Sequence, residues 1–298
     1  MDFLQTLFIH FDMETADPDD VMTLALLATH PRLVLVGVTL TPGGLEQFSL
    51  VKHVLKLMGC ENVLVGSADP ARTKPAVSDF HYNWLGTPPV WQGPVPTAND
   101  VIREVVYQNP EVTLLTGAPL KNPGRYPRTG RFFHEWVGQG GFAGDNVVPE
   151  EHRLEKFKGR ITCPTFNLAG DISAAQNLLT DDRLKRRTLI SKNVCHGVAW
   201  DRAFHDRVKA LPRRTDGLEL CLQGMDQYLR KKPEGKLLHD PLAMAYAINR
   251  DVCEVTNVHL YRERGEWGSQ IPPFTNDLNA WISISVNRER FFETLTAA

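Results

Sequence analysis

Two apolar patterns take turns along this chain. Continuous apolar runs at residues 8–11, 33–40, 62–66 and 111–115 predict short strands covered on both faces. Between them, residues 21–28 read as a largely buried helix. Phe48, Val51, Val54, Leu55 and Met58 form the stripe of a second helix. Strand, helix, strand, helix, strand within the first hundred residues predicts right-handed crossovers and a parallel sheet. Further on, Thr97 caps a helix over 98–107, and strands are expected at 132–137 and 187–194. Helices are expected at 202–211, 217–230 and 241–249, the last with Pro241 at its first position. Strands at 252–261 and 281–286 read as antiparallel edges, and 288–295 as a closing helix.

Three stretches break these patterns. Residues 69–97 are rich in Pro, Trp and Gly and read as a long functional loop around His81. Residues 121–131 carry Lys121, Arg125, Arg128 and Arg131 among Pro and Gly and read as a basic loop. Residues 149–160 are dense in charge and read as an exposed insertion, a solvated helix. With no repeat or linker, one α/β domain over 1–298 is expected.

Composition narrows the function classes. A net charge of -2 gives no basic excess for nucleic acid. Five cysteines, at 60, 163, 195, 221 and 253, include no Cys-x-x-Cys pair. That argues against a zinc site or disulfide framework and for a reducing compartment. No apolar stretch reaches the roughly 20 residues of a membrane span. Residues 1–3 lack a basic n-region, so the cytoplasm is the expected location.

The chemistry concentrates behind the first strand. Asp12, Glu14, Asp17, Asp19 and Asp20 fall within nine positions at the mouth of a predicted parallel sheet, where such folds place their sites. Packed carboxylates need a cation, protons or solvent spacing to relieve repulsion. An oxygen-only set suits Ca2+, with Mg2+ the alternative. A solvated acidic turn with Asp19 or Asp20 as N-cap fits five acids behind a buried strand poorly. Cys195-His196 after a strand has the form of a thiolate and its base, although a buried cysteine is the usual case.

The order of motifs resembles the inosine–uridine nucleoside hydrolase superfamily. Asp12-Met13-Glu14 through Asp19-Asp20 is similar to its opening Asp-Thr-Asp-Pro-Gly-x-Asp-Asp. Thr39 to Gly44, Ala118-Pro119-Leu120-Lys121-Asn122, Asp145 to Pro149, Thr165-Phe166-Asn167 and His239-Asp240-Pro241 resemble its later motifs, in order. The resemblance implies a doubly wound, mostly parallel sheet with helices on both faces, one calcium ion, a homodimer or homotetramer, and hydrolysis of an N-glycosidic bond to ribose. It makes Asp20, Asp240 and the carbonyl of Gly117 or Thr116 metal ligands, with Asp12 and Glu14 beside them. Glu14 falls at the water-activating acid, a job Asp12 or Asp17 could also take. Asp19 would hold a ribose hydroxyl, Asn146, Phe166 and Asn167 would line the sugar, His239 would assist the leaving base, and His81 would border the base pocket.

The departures carry information too. The first loop is one residue longer than the family's. Gly44 replaces a ribose-binding Asn, and Thr165 replaces a Glu that grips the sugar near its 5′ hydroxyl. Losing that carboxylate weakens recognition of a plain nucleoside and removes repulsion toward an anion. A ribosyl substrate substituted at the 5′ position, or a modified nucleoside, is therefore expected, with the arginines at 125, 128 and 131 as phosphate contacts. Two rivals stand beside this. One is a haloacid-dehalogenase-like phosphatase, suggested by Asp12-Met13-Glu14-Thr15. The other is a non-catalytic, ligand-binding member of the hydrolase fold.

Overall fold

The computed structural model describes residues 6–272 and 279–298; residues 1–3, read above for a leader, lie outside them. Twelve strands are described: β1 Leu7–Met13, β2 Leu33–Leu40, β3 Leu64–Ser67, β4 Thr113–Thr116, β5 Glu135–Gln139, β6 Thr162–Cys163, β7 Arg186–Ile190, β8 Ala199–Trp200, β9 Lys236–Leu237, β10 Cys253–Glu263, β11 Glu266–Gln270 and β12 Ala280–Val286. Ten form one sheet in the order β3-β2-β1-β4-β5-β7-β12-β10-β11-β6, and β8 and β9 form a separate ribbon. Pairing is parallel from β3 to β12 and antiparallel through β10, β11 and β6.

The period-2 alternation of the strands divides the interior in two. Ile9, Phe11, Met13, Leu115, Val137 and Ile190 pack with helices Pro18–Thr29, Leu45–Leu57, Asp216–Lys231 and His239–Ile248. Leu114, Trp136, Leu189 and Ile282 face the other way, against helices Ala98–Gln108 and Ile172–Leu179. Helices on both faces of a mostly parallel sheet are the doubly wound α/β arrangement expected. No helix among the described residues is long and apolar enough to cross a membrane.

Four local expectations change. Within 69–97 lies a helix, Asp79–Leu85, whose N-cap Ser78 accepts the Phe80 N–H at 3.3 Å; flanking prolines and glycines hid it. The basic stretch starts as a helical turn, Lys121–Arg125. The 187–194 strand stops at Ile190, because Ser191 Oγ is drawn to the Ser283 carbonyl at 2.8 Å and Lys192–Cys195 then turns helical. The charged insertion is two 3-10 turns, Glu150–His152 and Glu155–Phe157, rather than a helix. Its Phe157 is buried edge-on to Phe142, which pins the segment down before a longer helix can propagate.

Candidate active site

Three segments meet at the carboxyl ends of β1, β4 and β5. β1 runs directly into the acidic loop. Asp17 then caps helix Pro18–Thr29, so Asp19 and Asp20 fall in its first turn. The Asp17 N–H donates to Asp20 Oδ2 at 3.0 Å. β4 pairs with β1 so that Thr116 lies opposite Asp12, and the Gly117 N–H donates to the Asp12 carbonyl at 2.9 Å. The third segment is the start of helix His239–Ile248. Its first amides have no partner within their own helix, and Asp19 supplies one. Asp19 Oδ2 accepts the N–H of His239 at 2.9 Å and of Asp240 at 3.2 Å. One carboxylate thus bolts the first loop to the last motif.

A cavity of about 420 Å³ opens between them. Of the residues singled out in the sequence, Glu14, Asp19, Asp20, Gly117, Phe166, Asn167, His239 and Asp240 line it. Asn167 is held there by Gln139, whose backbone and side-chain carbonyls accept its Nδ2 at 3.1 and 2.8 Å. Three predicted residues do not line it. Asp12 is fully buried within β1, between β2 and β4; its Oδ1 accepts Thr39 Oγ1 at 2.6 Å and Asn122 Nδ2 at 2.8 Å. His81 is fully buried beneath the loop, its ring 6.2 Å from that of Trp84, and burial lowers its pKa to about 4. Asn146 donates to the Ser269 carbonyl of β11 at 2.8 Å. The arginines are spent elsewhere: Arg125 pairs with Asp171, Arg128 donates to Asn177 O, and Arg131 to Tyr107 O. Cys195 is buried with its pKa pushed up to about 12, so it offers no thiolate near neutral pH.

Crowding of acids dominates the electrostatics. Burial holds the carboxyls of Asp20 and Asp240 well above the usual range; the next cause is Asp240 for Asp20 and Asp19 for Asp240. Burial, then Asp17, Asp19 and Asp12, raise Glu14 to about 7. Asp19 is the exception. Burial opposes its ionisation, yet Lys236 and His239 together bring its pKa below the usual value. Lys236, which sequence reasoning missed, lies with Nζ 2.9 Å from Asp19 Oδ1 and 3.0 Å from Asp17 Oδ1, its side chain 6% exposed.

A hard cation fits this donor set. Asp240 Oδ2 is buried without a hydrogen-bond partner. A Cβ on residue 117 would fall 1.9 Å from that oxygen, so only glycine lets the strand end approach it. Asp17, Asp19 and His239 also bring ligand atoms within 4.8 Å of one another. The Lys236 ammonium already serves both of those acids, which leaves Glu14, Asp20 and Asp240, with the unpaired Oδ2 of Asp12 behind them, as the carboxylates in need of a counter-charge.

Known proteins share this fold. A plant nucleoside hydrolase, PpNRh1, superimposes with TM-score 0.71 and 17% identity, covering 98% of this chain and 100% of that one. The inosine-uridine preferring nucleoside hydrolase of Bacillus anthracis gives 0.69 and 18%, over 97% of each chain. The purine-preferring ribonucleoside hydrolase of Gardnerella vaginalis gives 0.67 and 16%, over 97% of this chain and 96% of that one. No curated protein is a significant sequence match. The family model described as inosine-uridine preferring nucleoside hydrolase matches residues 9–293. The chain therefore belongs to the inosine-uridine preferring nucleoside hydrolase family, enzymes that hydrolyse the N-glycosidic bond of nucleosides.

Proposed function

We propose that this chain hydrolyses the N-glycosidic bond of a ribosyl compound with the help of one divalent cation. The carrying observation is the convergence of the first acidic loop, Gly117 and Asp240 on one cavity, locked by Asp19. Asp20, Asp240, Glu14 and the Gly117 carbonyl would hold Ca2+, or Mg2+, with Asp12 behind them. Bound there, the ion lowers the pKa of water and orients it. The chain's own residues do the rest. Glu14, poised near neutrality by burial and by its acidic neighbours, takes the proton from the attacking water. The surrounding carboxylates stabilise the oxocarbenium-like sugar. His239, whose Nε2 is buried without a partner, offers the leaving base a hydrogen bond. Asp19 positions His239 and Asp240 and is the candidate contact for a ribose hydroxyl; Asn167 and Phe166 line the sugar's path.

The finer reading concerns the sugar. Thr165 lines the cavity where the resembled family carries Glu, which favours a ribose substituted at its 5′ carbon, or a modified nucleoside. The cytoplasmic location and a homodimer or homotetramer belong to the same proposal. Ribose release from inosine, uridine, a nucleoside 5′-monophosphate and a ribosyl dinucleotide, with calcium and with chelator, tests it. Calcium-dependent release is expected. Cation binding with no release from the whole panel would instead make the chain a non-catalytic binding member. The phosphatase alternative does not survive the family match.

A further inference from the structure

Five carboxylates, Glu14, Asp17, Asp19, Asp20 and Asp240, line the cavity. So do Lys192, His196 and Thr165, and to none of these three does the hydrolytic reading give a catalytic role. Lys192 lines the cavity and donates to the Pro164 carbonyl at 2.8 Å, beside Thr165. Lys156, from the charged insertion, lies 2.7 Å from His196 Nδ1. Among the described residues, then, one ammonium is matched to an imidazole and the other to a backbone carbonyl, and neither to a carboxylate. Each keeps N–H donors to spare.

His196 completes the arrangement. An ammonium only donates, so Nδ1 accepts and the proton of the neutral ring sits on Nε2. Burial, then His239 and Lys156, lower the pKa of His196 to about 3, so the ring stays neutral. Phe157 stands edge-on to it at 5.4 Å and fixes its plane. Thr165 is 3% exposed, lines the cavity, and its hydroxyl has no hydrogen-bond partner. Lys192, His196 and Thr165 line the cavity, and Lys156 reaches it through His196; an ammonium group, an imidazole N–H and an unpaired hydroxyl, with a second ammonium beside them, make a donor set for an anion.

We propose that Lys156, Lys192, His196 and Thr165 bind an anionic group of the substrate, so that the enzyme acts on an anionic ribosyl N-glycoside rather than a neutral nucleoside. This rests on the hydrolase reading and names the substrate class of that same cavity. The anion is a phosphate on the ribose 5′ carbon or a carboxylate on the base.

The test compares kcat/KM for uridine, uridine 5′-monophosphate and orotidine in the calcium-loaded enzyme, and separately measures binding of ribose and ribose 5-phosphate by calorimetry. A preference of about ten-fold or more for an anionic substrate is expected, since charge-assisted hydrogen bonds are worth at least that. The monophosphate arm places the anion at the 5′ carbon, and the orotidine arm places it on the base. In Lys156→Ala/Lys192→Ala the preference should fall toward unity, and Lys156→Arg/Lys192→Arg should restore most of it. Hydrolysis of all three substrates without an anionic preference would overturn this proposal and leave the hydrolase reading intact. Tight ribose 5-phosphate binding without hydrolysis of any substrate would support the anion site and overturn the hydrolase reading.

Discussion

Lys236 Nζ sits 2.9 Å from Asp19 Oδ1 and holds charged the carboxylate that anchors His239 and Asp240. Breaking a buried pair from one side costs about 3–5 kcal/mol, because the remaining charge is left uncompensated. Lys236→Met should lower Tm markedly in the metal-free protein. The vacated Asp17, Asp19 and His239 cluster should then accept a divalent ion of its own. Calorimetry with calcium would show a second binding event in the variant; a single event in both proteins would count against this account of Lys236.

Gly117 is the sharpest steric probe of the site. A methyl group there meets the Asp240 carboxylate at 1.9 Å. Gly117→Ala should therefore displace Asp240, weaken calcium binding and lower kcat/KM by about 100-fold, the scale expected of an ångström-sized misplacement. Its far-UV circular dichroism should match that of the parent. Unchanged calcium affinity would remove Asp240 from the metal site.

Glu14→Gln keeps the size of the side chain and removes its basicity. Loss of general-base assistance costs about 100- to 10,000-fold. Because Glu14 is also placed among the calcium ligands, the expected result at saturating calcium is a fall of that order in kcat with KM little altered, measured by reducing-sugar release.

Stability of the metal-free protein should depend on pH in a defined direction. Asp12 and Glu14 are raised to about 7, Asp12 by burial and Glu14 by burial and neighbouring acids, and Asp20 and Asp240 are raised well beyond the usual carboxylate range. Groups raised in the folded state favour folding when protonated. Their contribution is complete below the ordinary carboxylate pKa near 4 and fades as pH climbs toward 7 and beyond. Without metal, Tm should fall between pH 5 and pH 8. At pH 8 saturating calcium should raise it by about 5 °C or more and release protons as it binds.

Much of this was readable in the linear chain, for identifiable reasons. The runs at 33–40 and 111–115 became β2 and β4 because parallel strands buried on both faces admit little but apolar residues. The pairing of Asp20 with Asp240 was legible only through the order of motifs, since 220 positions separate them. Lys236 was missed although it flanks the apolar pair Leu237-Leu238; a lysine there looks like a solvated strand end until β8 pairs with it at Trp200. His81 and Asn146 do not line the cavity for one shared reason. Motif order fixes where the backbone passes but not which way a side chain turns, and Trp84 and Ser269 decide that.

The insertion over 149–160 is fastened by Phe157 against Phe142 and His196 and by Arg153 on the Asp145 and Val148 carbonyls, and it brings Lys156 to His196, which lines the cavity. On the proposal above, choice of substrate would then be shared between a surface segment and the turn that follows β7, so that rewriting the segment alone would alter one ammonium and leave the other in place.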